Sequence, residues 1–338
     1  MQTPRASVIM AAWNASETIS ESIASVRAQT FREWELLVVD DGSTDDTAEI
    51  VREFAKEDDR IRVILGTHQG AANARNIGLR EAVGEYAAIL DSDDVATPDR
   101  LALQVAFLDA HPETSVVGGC CVVSGDTWKP PATNGAIQYL LNLLNPFVHS
   151  TVMFRRNLAD SGYVESFAED YELLARLCTK GTAANLQSVL CIRKILDTSL
   201  SATRSREQVD NAVRVSKTML CLNLSGLQDI MVDALANACF FRHVADDIDR
   251  KLLRREYERL QKRFLEMYPD DASEIRKLGT EELMRRREFF YGRELPERLR
   301  LLSFTVKNYW RKPKTLAWFV RSVLFPKYAE HSTKGNAT

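Results

Sequence analysis

Several things are absent from this 338-residue chain. It has no strong excess of either charge: the formal net charge is -3, so nothing draws the whole molecule toward nucleic acid, and any electrostatic partner must meet a local patch. It has no Cys-x-x-Cys pair. Its six cysteines (Cys120, Cys121, Cys178, Cys191, Cys221, Cys239) sit mostly in apolar runs such as Val116 to Val123, the pattern of buried free thiols rather than of a zinc site or a disulfide framework. The opening residues MQTPRASVIM lack the apolar stretch of a signal peptide, no segment reaches the roughly 20 apolar residues of a membrane span, and no internal repeat is found. The expectation is a chain that folds in the cytoplasm. What is present, 45% hydrophobic and 27% charged residues, is an ordinary globular composition and excludes disorder as the main state.

Short apolar runs alternate with helical spacing over the first two thirds. Ser7 to Trp13 and Glu35 to Asp40 read as strands, with Ile19, Ile23 and Val26 marking a helix between them. A helix capped by Ser43 or Thr44 runs through Phe54, Arg62 to Leu65 is a strand, Ala71 to Val83 a helix and Tyr86 to Leu90 another strand. Thr97-Pro98-Asp99 is a helix start with a capping hydroxyl and a proline at the first helical position. Ser115 to Val123 and Ser150 to Phe154 read as strands, Gly125 to Gly135 as a loop, and Glu169 or Asp170 opens a helix. Such alternation predicts an α/β fold, a mostly parallel sheet flanked by helices. From about Arg206 the strand signal stops. Residues 1-205 therefore form the α/β domain, and 206-338 a helical appendage with a basic and aromatic tail.

Carboxylates gather where two of these strands end: Asp40-Asp41, and Asp91, Asp93 and Asp94 in ILDSDD. In an open α/β sheet this edge is where ligands bind. Like charges there need a cation, a proton or hydrogen-bond donors, and hard Mg2+ or Mn2+ prefers oxygen ligands and commonly joins carboxylates to substrate phosphates. Helix capping is the competing reading for DSDD, as it is for DGSTD after Asp40. Arg75, in the small-residue helix start GAANARNIG, could meet an anionic or planar heteroaromatic ligand in the same crevice.

Taken in order, SVIMAAWNASETISESIASVRAQTFREWELLVVDDGSTDDT, GAANARNIGLREAVGEYAAILDSDD, HSTVMFRRNL and ESFAEDYELLARL resemble glycosyltransferase family 2, inverting nucleotide-sugar transferases of the GT-A (Rossmann-like) fold. The resemblance covers roughly residues 6 to 203. It implies a nucleotide-diphosphate sugar donor, UDP-sugar favoured, held by Ala11, Trp13, Asn14, Asp41, Arg75, Asp91, Ser92 and His149. It further implies a divalent cation, Mn2+ or Mg2+, on Asp93, with Asp94 the alternative ligand, and Asp170 as catalytic base. One base suffices for a single inverting displacement; a retaining double displacement needs a second carboxylate as nucleophile, for which there is no candidate.

The sequence departs from the family pattern at Ala11 and Trp13, where a proline and a tyrosine are usual, and in RKILDTSLS (Arg193 to Ser201), which lacks the histidine many relatives carry. It also has no Gln-x-x-Arg-Trp motif, which favours single-sugar transfer over processive synthesis. The resemblance implies a role in assembling cell-surface glycan or glycolipid, with a glycan or lipid-linked acceptor. A catalytically silent nucleotide-sugar-binding scaffold and a nucleotidyltransferase stand as alternatives. In 298-326, Arg298, Arg300, Lys307, Arg311, Lys312, Lys314 and Arg321 are interleaved with Tyr309, Trp310, Trp318, Phe319 and Phe325. That composition suits peripheral contact with the inner face of the cell membrane, packing against the domain, or a homo-oligomer contact.

Overall fold

A computed structural model describes residues 3-164, 168-194, 206-240 and 248-286. The basic tail at 298-326 and most of RKILDTSLS lie outside them. One sheet of nine strands runs through the α/β part: β1 (Ala6–Ala12), β2 (Trp34–Asp40), β3 (Ile61–Leu65), β4 (Tyr86–Ile89), β5 (Asp94–Ala96), β6 (Thr114–Val123), β7 (Asp126–Trp128), β8 (Met153–Arg155) and β9 (Thr182–Arg193). Its spatial order is β3-β2-β1-β4-β8-β6-β9-β5, with β7 pairing on β6. The pairings make β1, β2, β3, β4, β6 and β9 run one way and β5, β7 and β8 the other, a mixed and mostly parallel sheet.

Helices cover both faces. Successive strand residues point to opposite sides, so Val8, Met10, Leu36 and Val38 pack under α1 (Ile19–Arg27), α2 (Thr47–Glu57) and α4 (Arg100–Ala110), whereas Ile9 and Leu37 pack under α3 (Ala71–Glu81), α5 (Asn134–Leu140) and α6 (Glu169–Lys180). Burial on both faces is why β1 and β2 read as continuous apolar runs. Gly78 lets α3 sit close to the sheet: a Cβ there would lie 2.6 Å from Ile9 Cγ2.

The junction around antiparallel β8 breaks the regular ladder, and two fully buried side chains of α4 answer the carbonyls left there. Arg100 donates to the Ile89 and Val152 oxygens at 2.7 and 3.2 Å, and Gln104 Nε2 to those of Thr151 and Val117 at 2.8 and 3.1 Å. Without a carboxylate in contact, burial pulls Arg100 down to about 10. Buried carbonyls need such donors.

Four helices follow: α7 (Arg206–Asn223), α8 (Asp229–Cys239), α9 (Arg250–Met267) and α10 (Ala272–Arg285). With α5 they enclose a separate core containing Tyr139, Leu143, Leu220, Leu235, Tyr257 and Phe264. No helix among the described residues is long and apolar enough to cross a membrane.

Local expectations fail in informative places. Thr97 does not cap α4; its hydroxyl donates to the Val189 carbonyl, its own carbonyl accepts from Arg100 N, and the Leu101 N–H is taken by Gln29 at the end of α1. Ser43 and Thr44 do not cap α2, which begins at Thr47; the Ser43 hydroxyl donates to Asp40 instead. The expected loop 125–135 contains β7 and the first turn of α5. Of the expected strand 150–154, the first residues form a 3-10 turn, His149–Thr151. β9 has no counterpart in the sequence reading, because its pairing with β6 is interrupted by register shifts that break the alternation.

A chain of hydroxyls ties the helical region to α5: Tyr139 OH donates to Tyr257 OH at 2.9 Å, which donates to the Gly279 carbonyl at 2.9 Å, all buried. Tyr257→Phe breaks both bonds of the chain and leaves the buried Tyr139 hydroxyl without its acceptor, and should cost about 1–3 kcal/mol. Tyr139→Phe removes only the outer donor and should cost less. Urea melts of the two variants test this; equal losses would refute it.

Candidate active site

The crevice is built where β1, β2 and β4 end. On one side the β1 loop is locked to the β2 turn: Asn14, in the left-handed region at φ 47°, donates its N–H to Ser43 Oγ and accepts from Thr44 N at 2.8 Å through its side-chain oxygen. Asparagine tolerates that conformation better than most residues. Asp41 is buried, its two carboxylate oxygens accepting from the N–H groups of Gln69 and Gly70 at 2.9 and 2.7 Å. Ala11 lies on β1 beside Val39. Trp13 is 54% exposed and faces His68 with ring centroids 4.7 Å apart, an aromatic surface at the crevice mouth. Nothing in the sequence reading singled out His68; its only signal is position, before the glycine that opens α3.

On the other side stands a charged network. Arg75, on α3, places one guanidinium nitrogen 2.9 Å from Asp91 and the other 3.0 Å from Glu169 at the start of α6, over the Tyr163 ring. The neighbouring Asn76 fixes Tyr163 by bonding both its backbone N–H and its carbonyl, at 2.7 and 2.8 Å. Tyr163 OH lies 2.9 Å from His149 Nε2, and His149 Nδ1 lies 3.8 Å from Asp91. Thus Arg75, Asp91 and His149, predicted together, meet, and Glu169 and Tyr163 join them without having been predicted as site residues. Asp170, on the first turn of α6, accepts from Asn145 Nδ2 at 3.0 Å.

The strand-end acids fall into two states. Burial alone would raise Asp91, but Arg75 holds it well below the usual carboxylate range. Asp94, 1% exposed, is pushed up to about 7, first by burial and then by Asp91. Ser150 and Arg193, whose Nε lies 3.6 Å away, pull the other way. Asp93 is half-buried and raised for the same two reasons. Ser92 carries the carbonyl that accepts from the Ser22 hydroxyl, pinning the loop to α1. Among the described residues, no three His, Cys, Asp or Glu side chains group around a metal position; Asp93 and Asp94 are the pair of carboxyls there that could hold a cation.

Burial and the adjacent Arg75 pull His149 down to about 4, against the opposing pull of Asp91. The unfolded chain, where histidine titrates near about 6.5, then binds the proton more tightly. His149 therefore contributes stability that is present above about pH 6.5 and lost progressively as the pH falls to about 4, by roughly 3 kcal/mol at most. His149→Gln should flatten the fall of Tm between those pH values, measured by thermal melts; an unchanged slope would sink this reading.

Comparison with known proteins accords with this geometry. Residues 7–166 match the family model described as glycosyl transferase family 2. The Escherichia coli protein named UDP-Glc:alpha-D-GlcNAc-diphosphoundecaprenol beta-1,3-glucosyltransferase WfaP is 30% identical over 211 residues, 60% of this chain and 82% of that one. Residues 1-349 of S. aureus TarS in complex with UDP-GlcNAc superpose with a TM-score of 0.58 at 19% identity, covering 85% of this chain and 92% of that one. The mannosyltransferase PcManGT from Pyrobaculum calidifontis, in complex with GDP-Man and Mn2+, gives a TM-score of 0.53 at 19% identity over 96% and 87%. The sheet is that of the GT-A fold, and the chain is a glycosyltransferase that belongs to glycosyltransferase family 2.

Proposed function

We propose that the protein is an inverting, metal-dependent transferase that moves a single sugar from a nucleotide-diphosphate donor to an acceptor hydroxyl in cell-surface glycan assembly. The observation that carries this is the bridge from Asp91 through Arg75 to Glu169, which joins the acidic strand end to the helix that presents Asp170. The names of the relatives favour a UDP-sugar donor and a lipid-linked acceptor. That acceptor class would bring the enzyme to the cytoplasmic membrane surface as a peripheral protein. The division into a transferase domain, 1-205, and a helical region, 206-338, belongs to the same proposal.

Within this reading Trp13 and His68 offer a π-face to the base, and the Asn14 and Asp41 loops shape its pocket. Asp93, with Asp94 beside it, would hold the divalent cation: burial and the neighbouring Asp91 make charge on either carboxyl costly, and a cation offsets that cost. When bound, Mn2+ or Mg2+ offsets the charge that develops on the departing diphosphate. Arg75 keeps Asp91 ionised and fixes the wall between the donor and α6. Asp170 takes the acceptor hydroxyl proton as that oxygen attacks the anomeric carbon from the face opposite the diphosphate, giving inversion. His149, neutral near pH 7, can exchange a hydrogen bond with Tyr163 without adding a charge to the network.

Two variants test the assignment. Asp170→Asn should reduce turnover by about 10²–10⁴-fold and leave donor binding intact; full transfer by this variant would remove Asp170 as base. Asp93→Ala should abolish the Mn2+-dependent part of UDP-sugar binding in calorimetry while the thermal melt stays cooperative. Retention of that component would move the cation off Asp93.

A further inference from the structure

Among the described residues, Asp170 meets the Asn145 side chain outside its own helix, a contact that goes unused in the reaction as described. Asn145 follows α5 and precedes Pro146. Its side-chain oxygen accepts from the Phe147 N–H at 3.1 Å, and its Nδ2 lies 3.0 Å from Asp170 Oδ2. The first bond decides the second. With the oxygen held by a backbone donor, only the NH2 end is left to face the carboxylate, so the amide cannot flip without breaking both contacts. Pro146 fixes the backbone between the two ends of that turn. The opposing surfaces are also pinned, since Tyr171, next to Asp170, donates its hydroxyl to the Leu141 carbonyl at 2.6 Å.

Resting on the proposed role of Asp170, we infer that Asn145 is a positioning residue: its amide holds one oxygen of the Asp170 carboxylate and so aims the other at the acceptor hydroxyl. A base must be held in a single orientation when the acceptor arrives. A donated N–H meets that need, because it occupies one oxygen and leaves the other for the acceptor hydroxyl. The other charged or titratable groups facing Asp170 are Glu169 and Tyr171 on its own helix, His149 from the turn before β8, and Tyr163 from the loop after it. Arg75 of α3 is engaged with Glu169 and Asp91. The amide of Asn145 is a neutral donor bonded to the base, and Asn145→Ser alters it without altering the charge network.

The test uses two substitutions that keep an oxygen for the Phe147 N–H. Asn145→Asp sets a second carboxylate against Asp170, and Asn145→Ser keeps a hydroxyl for the turn but lacks the amide. In UDP release from UDP-glucose with Mn2+, both folded variants should lower kcat by about 10-fold or more with donor KM unchanged, and the loss should vanish when either substitution is added to Asp170→Asn. Wild-type kcat in both folded variants overturns the inference. A loss that persists in full on top of Asp170→Asn also overturns it, because Asn145 then acts through something other than Asp170, whereas full transfer by Asp170→Asn alone removes Asp170 as the base and the inference with it. If Asn145→Asp fails to fold, the serine variant alone decides, by its kcat and by whether its loss depends on Asp170.

Discussion

The site depends on one guanidinium. Arg75 is buried, lies against an aromatic ring and holds two carboxylates that come from opposite ends of the α/β part, Asp91 after β4 and Glu169 at the start of α6. Breaking a buried pair of this kind typically costs about 3–5 kcal/mol, since the charge left behind is desolvated and unpaired. The bridge therefore does more than neutralise. It fixes the distance between the strand end and the helix start, so that groups far apart in sequence share one wall of the crevice.

That bridge also changes what the acidic cluster means. Three carboxylates within four residues need compensation, and a bound cation is one answer. The structure supplies part of the compensation from the chain itself: Arg75 on Asp91, and Arg193 beside Asp94. What they leave is unequal. Asp91 is held ionised by Arg75, whereas Asp94 keeps a raised proton affinity. The need for positive charge is thus narrowed to the Asp93 and Asp94 end of the loop, away from the residue that Arg75 already occupies.

The elements that formed the repeated strand and helix pattern were legible because burial on both faces leaves a simple signature: unbroken apolar strands and helices with one apolar stripe. β9 and β5 were not, since one is interrupted by register shifts and the other is three residues long, held mainly by its partner. Among the candidate site residues, Asp41, Arg75, Asp91, Asp93 and Asp170 could be named from sequence because they sit in short stereotyped stretches. Glu169, Tyr163, Asn145 and His68 were not, because their relevance arises only when the fold brings them together. Asn145 looks like a turn residue before proline, and it is one; no spacing rule connects it to an acid 25 residues further on.

The same distinction explains the misread caps. Thr97, Ser43 and Thr44 have the residue types that cap helices, and in an isolated peptide they would do so. Here their side chains are drawn into tertiary bonds, Thr97 to β9 and Ser43 and Thr44 to Asn14. Those of Ser43 and Thr44 tie the loop after β2 to the loop after β1 at the carboxyl edge of the sheet. A small hydroxyl that caps a helix stabilises only that helix. One that joins two loops restrains the walls of the crevice, and a transferase that must hold two substrates together gains more from the second use.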